Sequence, residues 1–142
     1  MKPQRETLGF LLADVSRLMR RAFVQRLENS PLTLAQARAL VYVSRHEGVR
    51  QVELAELLDV QPITLARLID QLAKAALVER RADPTDRRAY RLFLKPAAAP
   101  HLAAIEKVVA GIRADALRDF SRQQADAVFS ALRRMRDNLA SR

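Results

Sequence analysis

The side chains best equipped for chemistry in this chain are arginines and their polar neighbours, and they gather in two stretches. In the first, Thr64, Arg67, Gln71 and Lys74 are spaced by three, four and three residues, which on a helix makes one polar stripe. Such side chains can exchange hydrogen bonds with base edges and phosphates. Arg67 suits guanine O6 and N7, and Gln71 suits adenine N6 and N7. The same stripe is also what any solvent-facing helix displays. In the second stretch, Arg80 and Arg81 precede a turn and Arg87, Arg88 and Arg91 follow it. Five arginines on one small hairpin repel one another unless an anion is available, and an arginine at a loop tip suits the concentrated negative potential of a narrow minor groove. Asp86 either pairs with Arg87 or Arg88 or caps the turn.

Other chemistries find little support. The chain has no cysteine, which excludes disulfides, thiolate metal sites and a thiol redox switch. His46 and His101, the only histidines, lie far apart with no carboxylate cluster beside either, and read as ordinary helix-end or surface residues. With three glycines there is no glycine-rich phosphate loop, and no nucleophile with its base is recognisable. The expectation is a binding protein that is not an enzyme and needs no cofactor. Lys plus Arg outnumber Asp plus Glu by 25 to 16, a formal charge of +9, which suits a polyanionic partner through counterion release and equally suits a solvated basic surface. No apolar run approaches a membrane span, so the chain is expected in the cytoplasm, in a cell without a nucleus, among the nucleoid.

The elements that must carry these residues follow from periodicity. Apolar residues from Leu8 to Leu27 recur at helical spacing, predicting a helix over 6–29. Thr33 and Gln36 form a capping box that opens a second helix, running to about Arg45 and ended by Gly48. Two short helices, 51–58 and 62–75, are separated by Asp59, Val60 and Gln61, with Pro62 at a first helical position. Their packing faces are Leu54, Ala55, Leu57 and Leu58, and Leu65, Ile69, Leu72 and Ala76. Residues 77–81 and 90–94 predict short strands joined by a loop over 82–89 that contains the turn opener Asp83-Pro84. Helical periodicity then returns over 97–119, and Ser121 with Gln124 caps a last helix. Two helices joined by a three-residue turn, followed by a hairpin, predict a mainly α winged helix-turn-helix.

From Leu32 to Leu94 the chain resembles the MarR/SlyA family of bacterial transcriptional regulators. The matching stretches are Gln51-Val-Glu-Leu-Ala-Glu-Leu-Leu58, Pro62-Ile-Thr-Leu-Ala-Arg-Leu-Ile-Asp-Gln-Leu72, Leu77-Val-Glu-Arg-Arg81 and Asp83-Pro-Thr-Asp-Arg-Arg88. The flanking helices match in number and place. The resemblance implies a single domain over 1–142, with a DNA-binding core over 32–95 and dimerisation helices over 6–29 and 97–140. It implies a homodimer on double-stranded DNA, a repressor of a pseudo-palindromic operator with half-sites roughly 10 bp apart. Pro62, Thr64, Arg67, Gln71 and Lys74 would serve the major groove, and Asp86, Arg87 and Arg88 the minor groove, with Asp86 the supporting carboxylate of Arg88. Arg50, Gln51, Arg80, Arg81 and Arg91 would remain for phosphates.

The resemblance also implies a small aromatic anion as effector, held between the dimerisation helices and the winged helix. Arg17, Arg20 and Arg38 would border that cleft; alternatively they form interhelical salt bridges or are solvated. Three positions depart from the family pattern. Arg50 stands where a Ser or Thr usually caps the first motif helix, so phosphate contact is its alternative role. Ala76 replaces a glycine, predicting a different helix end. Lys95-Pro96 replaces the Thr of a Leu-Thr pattern after the second strand, so the following helix is expected to lack that cap. The rival readings are a winged helix used as a protein–protein module without specific DNA binding, and a small-molecule binding protein or enzyme on the same dimer, for which the sequence shows no convergent polar pocket.

Overall fold

The capping residues set the frame. In the computed structural model, which describes residues 6–141, the described residues form six helices and one two-stranded antiparallel sheet. Thr7 caps α1 (Leu8–Arg26) by accepting from the Phe10 N–H, so the helix is shorter at both ends than its apolar periodicity predicts. Thr33 and Gln36 form the expected capping box of α2 (Leu34–Arg45), and Ser121 and Gln124 that of α6 (Arg122–Ala140). The helix-turn-helix is α3 (Gln51–Leu58) and α4 (Pro62–Lys74), the latter opening on Pro62. α5 spans Ala98–Ala116. Two compact units are distinguished, one ending at Val109 and the other beginning at Ala110.

The core of the first unit brings Leu40 and Val43 of α2, Leu54 and Leu58 of α3 and Leu65, Ile69 and Leu72 of α4 against Val78 and Leu92 of the hairpin. The expected face of α3 is corrected at Leu57, which is 47% exposed. That of α4 is corrected at Ala76, which is exposed and lies beyond the helix. Ala76 nevertheless closes α4 as a glycine would. It adopts φ 61°, its N–H donates to the Ala73 carbonyl, and the Leu77 N–H donates to the Leu72 carbonyl. Those two bonds with a left-handed residue between them are the Schellman closure, so the expected different helix end is not found. An alanine holds a conformation that costs an L residue roughly 1–2 kcal/mol.

The hairpin differs most from its sequence reading. β1 (Val78–Asp83) and β2 (Asp86–Leu94) are longer than expected and meet at a two-residue turn, Pro84-Thr85. The register runs from Val78 opposite Leu94 to Ala82 opposite Tyr90, then jumps to Asp83 opposite Asp86. Arg87, Arg88 and Ala89 therefore have no partner across the ladder and form a bulge, a device that bends a strand and re-aims its side chains. At the hairpin's base, Gly48 at φ 87° lets the chain lie along β2. The Gly48 N–H donates to the Leu92 carbonyl, the Leu92 N–H donates to the Val49 carbonyl, and Arg50 bridges Arg91. A side chain at Gly48 would also meet the Phe93 ring.

Candidate nucleic-acid interface

α4 turns Leu65, Ile69 and Leu72 inward, and the opposite side carries Ile63, Thr64, Arg67, Gln71 and Lys74, all exposed. Pro62 fixes the start of this face. Thr64, Arg67 and Lys74 make no hydrogen bond or ion pair with another described side chain, whereas the Gln71 amide oxygen accepts from the Gln36 amide at 2.7 Å. Gln71 is thereby anchored to α2 with its amide nitrogen left to donate. Ile63 is 65% exposed beside Arg67 on the turn below, and its apolar type alone gives no sign of a place among the polar contacts. The helical period was enough to place it on the outer face.

A cleft of about 300 Å³ opens where the first turns of α3 and α4 face the wing, and Arg50, Gln51, Pro62, Asp86, Arg88 and Tyr90 are among its lining. Predicted site residues from three separate elements thus meet in one place. Asp86 settles one of the open alternatives. Its carboxylate accepts from the Arg88 backbone N–H at 2.9 Å, and among the described residues no ion pair joins it to Arg87 or Arg88. Asp86 holds the bulge rather than the guanidinium, and both arginines are exposed.

Three of the expected phosphate ligands also have internal partners. Arg80 pairs with Asp70 of α4 at 2.7 Å, donates to the Gln51 amide oxygen at 2.8 Å and donates to the Ala66 carbonyl at 3.1 Å. Arg91 donates to the Gly48 carbonyl at 2.9 Å and reaches Asp83 at 3.2 Å. Arg50 pairs with Asp83 at 2.8 Å and, as expected, gives α3 no side-chain cap. Arg81 is half exposed but shares Glu79 and stacks over the Phe93 ring at 3.9 Å. Gln51 spends its amide oxygen on Arg80.

Asp83 is the residue the sequence undervalued, since Asp-Pro suggests only a turn. Its side chain is fully buried, and its two oxygens divide their work. One accepts from the Thr85 N–H at 2.9 Å and the Thr85 hydroxyl at 2.8 Å, and the other meets Arg50 and Arg91. The Thr85 N–H and hydroxyl, then the two arginines, hold its carboxyl down to about 2 from an ordinary 3.8, against the opposing effect of burial. No sequence signal marks its two arginine partners, which lie 33 and eight residues away.

Two of the expected effector residues have internal partners. Arg17 pairs with Asp14 of its own helix at 3.5 Å, and Arg38 donates to the Leu58 carbonyl at 3.4 Å and lies over the Tyr42 ring. Arg38 thus helps satisfy the end of α3, and Arg20 belongs to α1. His46 ends α2 beside Tyr42. Among the described residues no cluster could hold a metal ion, and no helix is long and apolar enough to cross a membrane.

This arrangement of a recognition-type helix and a braced basic wing has close counterparts. The profile of the MarR family matches residues 32–90, the stretch from before α2 to the middle of β2. The solved transcriptional regulator PA3341 is 36% identical, with 96% of this chain and 100% of that chain covered and a TM-score of 0.83. The chain belongs to the MarR family. A crystal structure of MarR itself is 27% identical, covers 98% of this chain and 95% of its own, and superposes with a TM-score of 0.86. A mutant MarR from E. coli complexed with operator DNA, at 22% identity, covers 90% of this chain and 92% of its own and shares the fold with a TM-score of 0.75. As a MarR-family chain, this protein has the winged core and flanking helices expected from its sequence, with an arginine tied to a buried aspartate at the start of its helix-turn-helix.

Proposed function

We propose that this chain is a sequence-specific transcriptional regulator that binds a pseudo-palindromic operator in double-stranded DNA as a homodimer and represses. The observation that carries the reading is the sorting of its arginines. Arg50, Arg80 and Arg91 are consumed by internal acceptors, while Arg67 and Lys74 on α4 and Arg87 and Arg88 on the bulged wing stay exposed. Exposed like charges on two adjoining surfaces are what a groove-straddling contact with a polyanion requires. In this reading Arg67, Thr64 and the Gln71 amide nitrogen meet base edges in the major groove, and Ile63 offers an apolar surface to a thymine methyl group. Arg88, with Arg87, enters the adjacent minor groove, and Lys74 and Gln51 serve phosphates, while Arg81 stays with Glu79.

The homodimer is supported by α1, which has no buried residue although Leu8, Phe10, Leu11, Leu12, Val15 and Leu18 are 42–72% exposed. An apolar helix face of that extent marks an interface. The core over 32–95 would bind DNA, and the helices over 6–29 and 97–140 would carry the dimer, within one functional domain. No cofactor or enzymatic step enters this reading. Fluorescence anisotropy against DNA upstream of the protein's own gene, followed by selection from a random library, tests it. Tight, sequence-selective binding that falls steeply with salt is expected, with sedimentation giving a dimer. Binding equal for all sequences after selection would instead favour the protein–protein module.

A further inference from the structure

We propose that Asp83 is a positioning residue for DNA recognition: it locks the wing to the start of the helix-turn-helix, so that Arg88 is delivered at a fixed distance from α4. The inference rests on the DNA-binding reading and adds a device to it. A two-stranded hairpin is only marginally stable by itself, and this one is bulged near its end, so its direction needs an external tie. The base has one in the backbone bonds of Gly48 and Val49 to Leu92. The end has only Asp83.

From that one buried carboxylate run bonds to the turn through Thr85, to β2 through Arg91 and to the first residue before α3 through Arg50. Only the Arg50 bond leaves the hairpin, for the start of α3; those to Thr85 and Arg91 gather the turn and β2 onto the same carboxylate. Arg80 adds a second tie from β1 to Asp70 and Ala66 of α4 and Gln51 of α3. The two ties act on different points, Arg80 on the middle of β1 and Asp83 on its last residue, next to the bulge. Removing Asp83 therefore frees the end that carries Arg87 and Arg88 while leaving the wing's root attached. No contact between Asp83 and DNA is needed, since its side chain is fully buried. It acts only through where it puts the bulge.

A double-mutant cycle on operator affinity separates this role from mere stability. The probe is an operator selected from random DNA, titrated with wild type, Arg88→Ala, Asp83→Asn and the double variant, all checked for cooperative unfolding and dimerisation. In the wild-type background Arg88→Ala is expected to weaken binding roughly tenfold or more. In the Asp83→Asn background the same change is expected to cost about twofold or less, because Arg88 no longer reaches its groove reliably. Arg50→Gln, which cuts only the tie to α3, is the second variant and should reproduce the loss of coupling if Asp83→Asn fails to fold. Equal effects of Arg88→Ala in all three backgrounds would overturn the proposal and leave Asp83 a structural residue. Absence of selective binding by wild type would instead overturn the DNA-binding reading itself.

Discussion

The salt dependence of operator binding can be worked from which cations are free. Sequence alone offers Arg50, Arg67, Lys74, Arg80, Arg81, Arg87, Arg88 and Arg91 on α4, the wing and the residue before α3. The structure leaves Arg67, Lys74, Arg87 and Arg88 without an internal partner, because Asp70, Asp83, Gln51 and backbone carbonyls take Arg50, Arg80 and Arg91, and Glu79 shares Arg81. Each phosphate neutralised on duplex DNA contributes about −0.9 to the slope of log K against log salt. Four free cations per protomer in a dimer then set a slope no steeper than about −7, against about −14 if all eight residues met phosphate. Between 50 and 200 mM salt the first figure corresponds to roughly a ten-thousand-fold loss of affinity. Anisotropy titrations across that range measure it. Arg88→Ala should make the slope shallower by about 2 in the dimer, one contact per protomer. Arg80→Ala should leave the slope unchanged while costing about 1–2 kcal/mol of stability, since it removes three internal hydrogen bonds of which one goes to a largely exposed aspartate. A wild-type slope near −14, or an equal flattening by Arg80→Ala, would refute the assignment of these arginines to the interior.

Three further outcomes are expected. Ala76→Gly should stabilise the fold by about 1 kcal/mol, relief of the left-handed alanine exceeding the entropy of an added glycine, and raise the melting temperature by about 2–4 °C; the exposed methyl contributes no packing, so a lower melting temperature would contradict the Schellman closure. Asp83 has a folded-state pKa of about 2, below its ordinary 3.8, so its contribution is complete above pH 4 and is lost as pH falls from there towards 2. Acid titration of wild type against Asp83→Asn should show the variant losing less stability over that interval, with the two curves parallel between pH 5 and 8; parallel curves throughout would mean that the Thr85 hydrogen bonds and the two arginines do not hold the carboxylate. Replacing single operator thymines by deoxyuridine, which removes only the methyl group, should weaken wild-type binding at one position per half-site by several-fold and leave Ile63→Ala indifferent there, as about 1 kcal/mol of apolar contact predicts. An Ile63→Ala protein with the same thymine preference as wild type would exclude the contact.

How far the site was legible in the sequence depends on the range of the interactions that make it. The capping boxes at Thr33 and Ser121 and the proline opening α4 are local, involving partners three residues apart or a fixed φ, and the helices begin where those signals put them. The wing failed at its register. Asp83-Pro84 and the run of arginines suggested a long loop over 82–89, whereas pairing with β1 draws most of those residues into a strand and leaves Arg87, Arg88 and Ala89 as a bulge. Nothing in a local window distinguishes the two, because the choice is made across strands.

Charge shows the same division more sharply. Residue type was enough to find the basic surface, and the spacing of Thr64, Arg67, Gln71 and Lys74 was enough to place it on one helix face. Neither could say which arginines are available, since Arg50, Arg80 and Arg91 resemble Arg67, Arg87 and Arg88 in sequence and differ only in having Asp70, Asp83 and free carbonyls within reach after folding. The count of 25 Lys and Arg therefore overstates what this surface can offer a phosphate backbone and understates how firmly it holds its shape. Part of the arginine excess is internal bracing. The aspartates whose charge opposes a DNA-binding surface are what brace the wing that carries the exposed arginines.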